Sequence, residues 1–199
     1  MKFYLVRHVE TKGNLEKRFA GITETEYTEK GLMQFEELKK KLSEDFEYDS
    51  IYSSPISRAK KIACAVGKKK NIDVICEEAL SEMNFGIFEN KTFDEIQSED
   101  SCYWKKWNED YMYYQIPKGD SLASFHKRVT KFLDKIKNDE GSSLVVCHGG
   151  TIQSIITHLL NLEIDKRWHF FVPLAGMVEI DYKDGFGIIN GLFKLTESE

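Results

Sequence analysis

Residues 142–150 read Ser142-Ser143-Leu144-Val145-Val146-Cys147-His148-Gly149-Gly150. The unbroken apolar run in their middle is that of a strand buried on both faces, as strands of parallel sheets are. Gly149-Gly150 then leads into a helical stretch predicted over Gly149–Leu160. Working outward, Phe3–Arg7 (FYLVR), Ser50–Ser53 (SIYS) and Val74–Cys76 (VIC) are further short strands. Between them Thr28 precedes a helix with Leu32, Phe35, Leu38 and Leu42 at spacings of three and four. A second helix carries Ala59, Ile62, Ala63 and Val66, with Pro55 expected in its first turn. Thr92 and Glu95 fit a capping box. Leu122, Phe125, Val129, Phe132, Leu133 and Ile136 form a long helical stripe. Met177–Tyr182 and Gly187–Leu195 flank the turn Lys183-Asp184-Gly185, a hairpin pattern. Strands alternating with helices predict an α/β fold: three layers, α/β/α, around a mostly parallel sheet closed by a C-terminal antiparallel hairpin.

The chain has 199 residues, 41% of them hydrophobic and 31% charged, as expected of one soluble globular domain. No apolar run approaches the roughly 20 residues of a membrane span. The formal charge is −5, and the basic runs Lys39–Lys41 and Lys68–Lys70 fall where helices end and cations complement the dipole. Neither a nucleic acid nor a membrane is an expected partner. Cys64, Cys76, Cys102 and Cys147 show no CxxC spacing and read as reduced thiols; with no leader before the first strand, a cytoplasmic location is expected.

Three of the strands end alike. FYLVRH closes on Arg7 and His8, IYSSP leads within a turn to Arg58, and SLVVCH closes on His148. Ligands of open α/β sheets bind outside the carboxyl ends of the strands. If these strands are parallel, two arginines and two histidines converge. At about 4 Å and an effective dielectric near 20, each opposite-charge pair there contributes on the order of 4 kcal/mol. Arginine's planar fork suits phosphate oxygens. The implied ligand is a phosphate.

In these elements the sequence resembles the histidine phosphatase superfamily, the phosphoglycerate mutase-like family. Its opening R-H-G-x-T-x-x-N stands here as Arg7-His8-Val9-Glu10-Thr11-Lys12-Gly13-Asn14. R-x-x-G is Arg18-Phe19-Ala20-Gly21, and S-S-P-x-x-R-A is Ser53-Ser54-Pro55-Ile56-Ser57-Arg58-Ala59. L-x-E-x-x-F-G-x-x-E-G is Leu80 to Asn90, P-x-G-E-S is Pro117 to Ser121, and V-x-H-G-G is Val146 to Gly150. The resemblance implies that His8 is the nucleophile, Glu82 the acid and base, and His148 a stabiliser of the transition state. It implies that Arg7, Arg58 and Asn14 hold the phosphate, and that Thr11, Gly21 and Gly149 line its pocket. It implies no cofactor and no metal.

Three departures matter. Val9 stands where the family has glycine, so either the backbone stays extended with a tighter pocket or catalysis is weakened. Asn90 replaces a glycine and tolerates left-handed backbone; Asp120 replaces a glutamate. The short spacing from Glu82 to His148 favours a small phosphatase, like the ribazole and broad-specificity phosphatases, and the resemblance implies metal-independent action on a small phosphorylated metabolite through a phosphohistidine. The alternatives are a phosphoglycerate mutase-type transferase and a phosphate-ligand-binding protein weakened by Val9. A cysteine phosphatase needs an arginine where Gln153 stands. No HExxH or paired-aspartate motif supports a metal-dependent hydrolase. Residues 1–199 are expected to form a single domain, compatible with a homodimer, in which a segment at about 92–116 forms a cap. Within it Tyr103, Trp104, Trp107 and Tyr111 read as a helical aromatic stripe, packed on the core or selecting the leaving group.

Overall fold

The computed structural model describes residues 1–196. Six strands form one sheet: β1 (Lys2–Arg7), β2 (Ser50–Ser53), β3 (Val74–Cys76), β4 (Ser142–Cys147), β5 (Gly176–Lys183) and β6 (Phe186–Lys194). Their order is β3-β2-β4-β1-β5-β6. The first four are mutually parallel, and β5 and β6 pair antiparallel at one side. The hairpin turns on Asp184 (φ 52°) and Gly185 (φ 82°), the two left-handed positions of the two-residue turn that matches strand twist.

The period of two along the central strands decides which layer each side chain joins. Leu144 and Val146 pack on one face with Val6 and Ile51, under α2 (Glu29–Glu44) and α3 (Ser57–Lys70). Val145 and Cys147 pack on the other with Phe3 and Leu5, under α6 (Leu122–Ile136) and α7 (Gly149–Leu159). All six apolar positions of the stripe from Leu122 to Ile136 are buried. At roughly 1.5–3 kcal/mol per fully buried large apolar side chain, such stripes hold the three layers together.

Between these elements lie α1 (Lys12–Leu15), α4 (Phe93–Glu99) and α5 (Ser101–Glu109). The capping box expected at Thr92 and Glu95 opens α4, and a second one, Thr11 with Asn14, makes the short α1. Pro55 does not lie in the first turn of α3; that helix starts at Ser57, capped by Ile56. The aromatic stripe is narrower than the sequence pattern. Trp104 and Trp107 pack on the core, but Tyr103 is 41% exposed beneath Lys106, and Tyr111 lies beyond the end of α5. Among the described residues, no helix is long and apolar enough to cross a membrane.

Candidate active site

The register brings three strand ends level. Arg7 lies opposite Cys147, and Ser53 opposite Val146. The ladder then runs one residue further, because His8 N donates to Cys147 O (3.1 Å) and Ser54 N to Val146 O (3.0 Å). Arg7, His8, Ser54 and His148 are therefore delivered to one edge by backbone pairing alone, with the His8 and His148 ring centroids 5.2 Å apart.

Hydrogen bonding assigns the His8 tautomer. His8 Nδ1 donates to the Val9 carbonyl (2.7 Å), and Arg58 Nε donates to His8 Nε2 (3.3 Å), so the ring is neutral with its lone pair on Nε2. Burial first, then the charges of Arg58 and Arg7, hold the His8 pKa well below the ordinary histidine value. Ser54 Oγ accepts from Ile56 N and is hydrogen-bonded to His148 Nε2 (2.8 Å). His148 Nδ1 is a buried atom without a partner. Burial, then Arg58, His8 and Arg7, push its pKa well down too.

Arg58, 2% exposed, is fixed by the carbonyls of Ala20, Gly21 and Thr23 at 2.9, 2.5 and 2.8 Å. That loop is itself gathered by Glu89, whose carboxylate accepts from the backbone of Gly21, Ile22, Thr23 and Phe85. Arg7 Nη1 donates to Val172 O (2.7 Å), while its buried Nε has no partner. A Cβ on Gly149 would lie 3.1 Å from the Arg7 guanidinium carbon, so the guanidinium is flush against the start of α7. Burial lowers both arginine pKa values, and the Glu82 charge raises them back.

Glu82 faces this cradle from the far side of Gly150. Its Oε2 accepts from Gly150 N (2.8 Å) and its Oε1 from Met83 N (3.0 Å). Arg128 on α6 staples the segment beneath it, donating to the carbonyls of Glu78, Ala79, Ser81 and Glu82. Beyond Glu82 opens a cavity of about 470 Å³, walled by Phe19, Phe85, Trp104 and Trp107, with Gln153 and Arg167 at one side. Trp104 and Trp107 meet edge to face at 5.0 Å, and Phe19 packs on both.

His8, His148, Arg7, Arg58, Glu82, Gly21 and Gly149 are thus brought together. Thr11 and Asn14 form the N-terminal cap and first turn of α1 after His8, where Asn14 Oδ1 accepts from Thr11 N and Oγ1. Thr11, 1% exposed, thus orients Asn14 and caps α1. The expected tightening of the pocket by Val9 does not occur. Its backbone is not left-handed, and its side chain is fully buried in the apolar layer with Val6, Leu38 and Ala175. Asn90 does take the left-handed backbone, at φ 60°. Burial pushes the Cys147 thiol pKa far up, keeping it protonated beside His148. Among the described residues, no group of three or more His, Cys, Asp or Glu side chains is placed to hold a metal ion. Two residues of this region have no signal in the sequence pattern: Arg128 and Arg167.

The family model described as the histidine phosphatase superfamily, branch 1, matches residues 3–193. The chain is 29% identical over 172 residues to phosphoserine phosphatase 1 of Hydrogenobacter thermophilus, covering 85% of this chain and 81% of that one. It is 28% identical over 194 residues to the adenosylcobalamin/alpha-ribazole phosphatase of Salmonella typhimurium, covering 96% of each. The crystal structure of the alpha-ribazole phosphatase of Shigella flexneri superposes with a TM-score of 0.88 at 28% identity, again over 96% of each chain.

Proposed function

The chain belongs to the histidine phosphatase superfamily, and on that premise we propose that it hydrolyses phosphomonoesters of small metabolites through a phosphohistidine at His8. The observation that carries this reading is a pair of buried, unpartnered nitrogens, Arg7 Nε and His148 Nδ1, beside a neutral histidine whose Nε2 lone pair faces the Arg58 guanidinium. Orphaned buried donors are rare. A phosphate oxygen accepts from both, and the dianion offsets the two guanidiniums.

In the first step His8 Nε2 bonds to phosphorus, the bond to the ester oxygen breaks, and Glu82 delivers its proton to that oxygen, releasing an alcohol. The Val9 carbonyl, holding the Nδ1 hydrogen, takes up the charge that the ring acquires. In the second step Glu82 removes a proton from water, the hydroxide oxygen bonds to phosphorus, and the bond to Nε2 breaks. Phosphate leaves with His8 neutral and Glu82 protonated again. Arg7, Arg58 and His148 bind the equatorial oxygens throughout, and Asn14, oriented by Thr11, supplies an amide donor. Gly149 allows the Arg7 guanidinium its close approach, and Gly21, whose carbonyl accepts from Arg58, leaves room for the Met83 carbonyl and the Glu89 carboxylate.

We take residues 1–199 as a single domain in which about 92–116 caps the site. The support is that Trp104 and Trp107 wall the cavity next to Glu82, where the leaving group must lie. The partner in this reading is a small phosphorylated metabolite in the cytoplasm. The test is turnover of a panel of phosphomonoesters in EDTA, with 3-phosphoglycerate mutase activity measured alongside. Phosphate release that a chelator leaves intact is the expected result. Turnover abolished by EDTA and restored by a divalent cation, or mutase activity exceeding hydrolysis, overturns it.

A further inference from the structure

Arg167 is a third buried guanidinium beside Glu82, and the phosphate cradle does not use it. It is 3% exposed, yet its hydrogen bonds all end on neutral oxygens: Gln153 Oε1, Gly150 O and Ser154 Oγ. Phe125 and Trp168 present their rings to it at 5.6 and 5.4 Å, closing off water. A Cβ on Gly150 would sit 2.5 Å from Glu82 Oε1 and 2.9 Å from Arg167 Nη2, so the carboxylate and the guanidinium flank one glycine. Its Nη1 makes a 3.5 Å contact to the buried Ser154 Oγ, at the outer limit of a hydrogen bond.

Glu24 and Glu89 as well as Glu82 face Arg58, whereas the carboxylate that faces Arg167 is that of Glu82. When Glu82 carries the proton it must donate, Arg7, Arg58 and Arg167 face a phosphomonoester of charge about −1.5 to −2. Arg167 is then without a carboxylate in a space lined by aromatic rings, where an unpaired ion is costly. We infer that Arg167, oriented by Gln153, receives a carboxylate borne by the leaving group, so that the substrate is a phosphomonoester with a second, anionic end. Phosphate then lies on Arg7 and Arg58, the carbon skeleton passes Glu82 between the aromatic walls, and the carboxylate meets the guanidinium of Arg167 where it lines the cavity. The inference rests on the phosphatase reading and narrows its substrate class.

A matched pair of esters tests it: 4-carboxybenzyl phosphate and 4-carbamoylbenzyl phosphate, alike in shape and differing in one charge. A charge-assisted contact predicts a kcat/KM ratio of about ten- to hundredfold in favour of the carboxylate. In Arg167→Met that ratio falls to about one, through KM of the carboxylate ester, while Arg167→Lys keeps part of it because charge remains without the fork. A ratio near one in the native enzyme overturns the inference, as does an undiminished ratio in Arg167→Met, which marks the arginine as structural only. If Arg167→Met does not fold, the native ratio and that of Arg167→Lys decide the matter. Inertness toward both esters and toward p-nitrophenyl phosphate sinks the phosphatase reading itself, whereas equal turnover of both sinks only the role of Arg167.

Discussion

Gly150→Ala is a one-methyl probe of where Glu82 must stand. The added Cβ would come within 2.5 Å of Glu82 Oε1 and 3.1 Å of its carboxyl carbon, against an ordinary contact of 3.4 Å or more. The carboxylate must therefore retreat by about 1 Å, stretching the 2.8 Å hydrogen bond from Gly150 N. Displacements of that size at a reacting group cost about 10²-fold, and general acid–base help is worth about 10²–10⁴-fold in total. Turnover of an alkyl phosphate, whose leaving oxygen needs the proton, should fall about 10²-fold. Its fall should exceed that of the first-step nitrophenol burst from p-nitrophenyl phosphate, whose leaving group needs no acid. Gly150 lies in the first turn of α7 without positive φ, so the gain of about 0.5–1 kcal/mol from replacing glycine in a helix offsets the displacement of Glu82 and of Arg167 Nη2, 2.9 Å from the new Cβ, and the fold should persist. Steady-state rates on both esters, with urea unfolding of the same preparations, make the check. Full alkyl phosphatase activity in a folded Gly150→Ala protein would refute the placement of Glu82 as the acid.

Val9→Gly should leave rates within a few-fold at low temperature but destabilise the fold by about 2–4 kcal/mol, because it empties a fully buried site and frees the backbone; a large rise in activity with unchanged stability would contradict this. Acidification should weaken the fold from about pH 6.5 downward, since burial holds His8, His148 and His126 below the ordinary histidine value, His126 at about 4. Their neutral forms contribute stability that is complete above pH 6.5 and lost as pH falls through the folded values, because the unfolded chain binds the protons first. His126→Gln should flatten the part of that loss between pH 6.5 and about 4, read as urea midpoints at several pH values; an unaltered slope would show that His126 is not part of it.

Local rules made much of the fold legible. The unbroken apolar run in SSLVVC and the strand-forming FYLVR mark strands whose two faces reach different apolar layers, and the Asp184-Gly185 pair names its own turn. The convergence of Arg7, His8, Arg58 and His148 follows from strand ends alone once the strands are parallel. What depends on three-dimensional packing was not legible. A glycine-to-valine change after His8 reads as crowding of the pocket, whereas the chain turns Val9 toward the apolar layer behind it. Tyr103 matches the helical period of Trp104 and Trp107 but points to solvent, because period alone cannot fix where α5 meets the core. Arg167 carries no pattern, since a buried guanidinium and an exposed one look the same in a sequence. The segment around Glu82 gave no periodic signal, because carbonyl contacts to Arg128 hold it and not a regular element.

The central claim is that phosphoryl groups pass through His8, and rapid-quench labelling tests it most directly. Glu82→Gln retains the nucleophile and loses the base that activates water, so hydrolysis of the intermediate becomes slow. With ³²P-labelled p-nitrophenyl phosphate, that variant should release a burst of nitrophenol and accumulate an acid-labile, alkali-stable label on the peptide bearing His8. His8→Ala should show neither burst nor label. Label that persists in His8→Ala, or that maps to Cys147 or any other residue, would contradict the account.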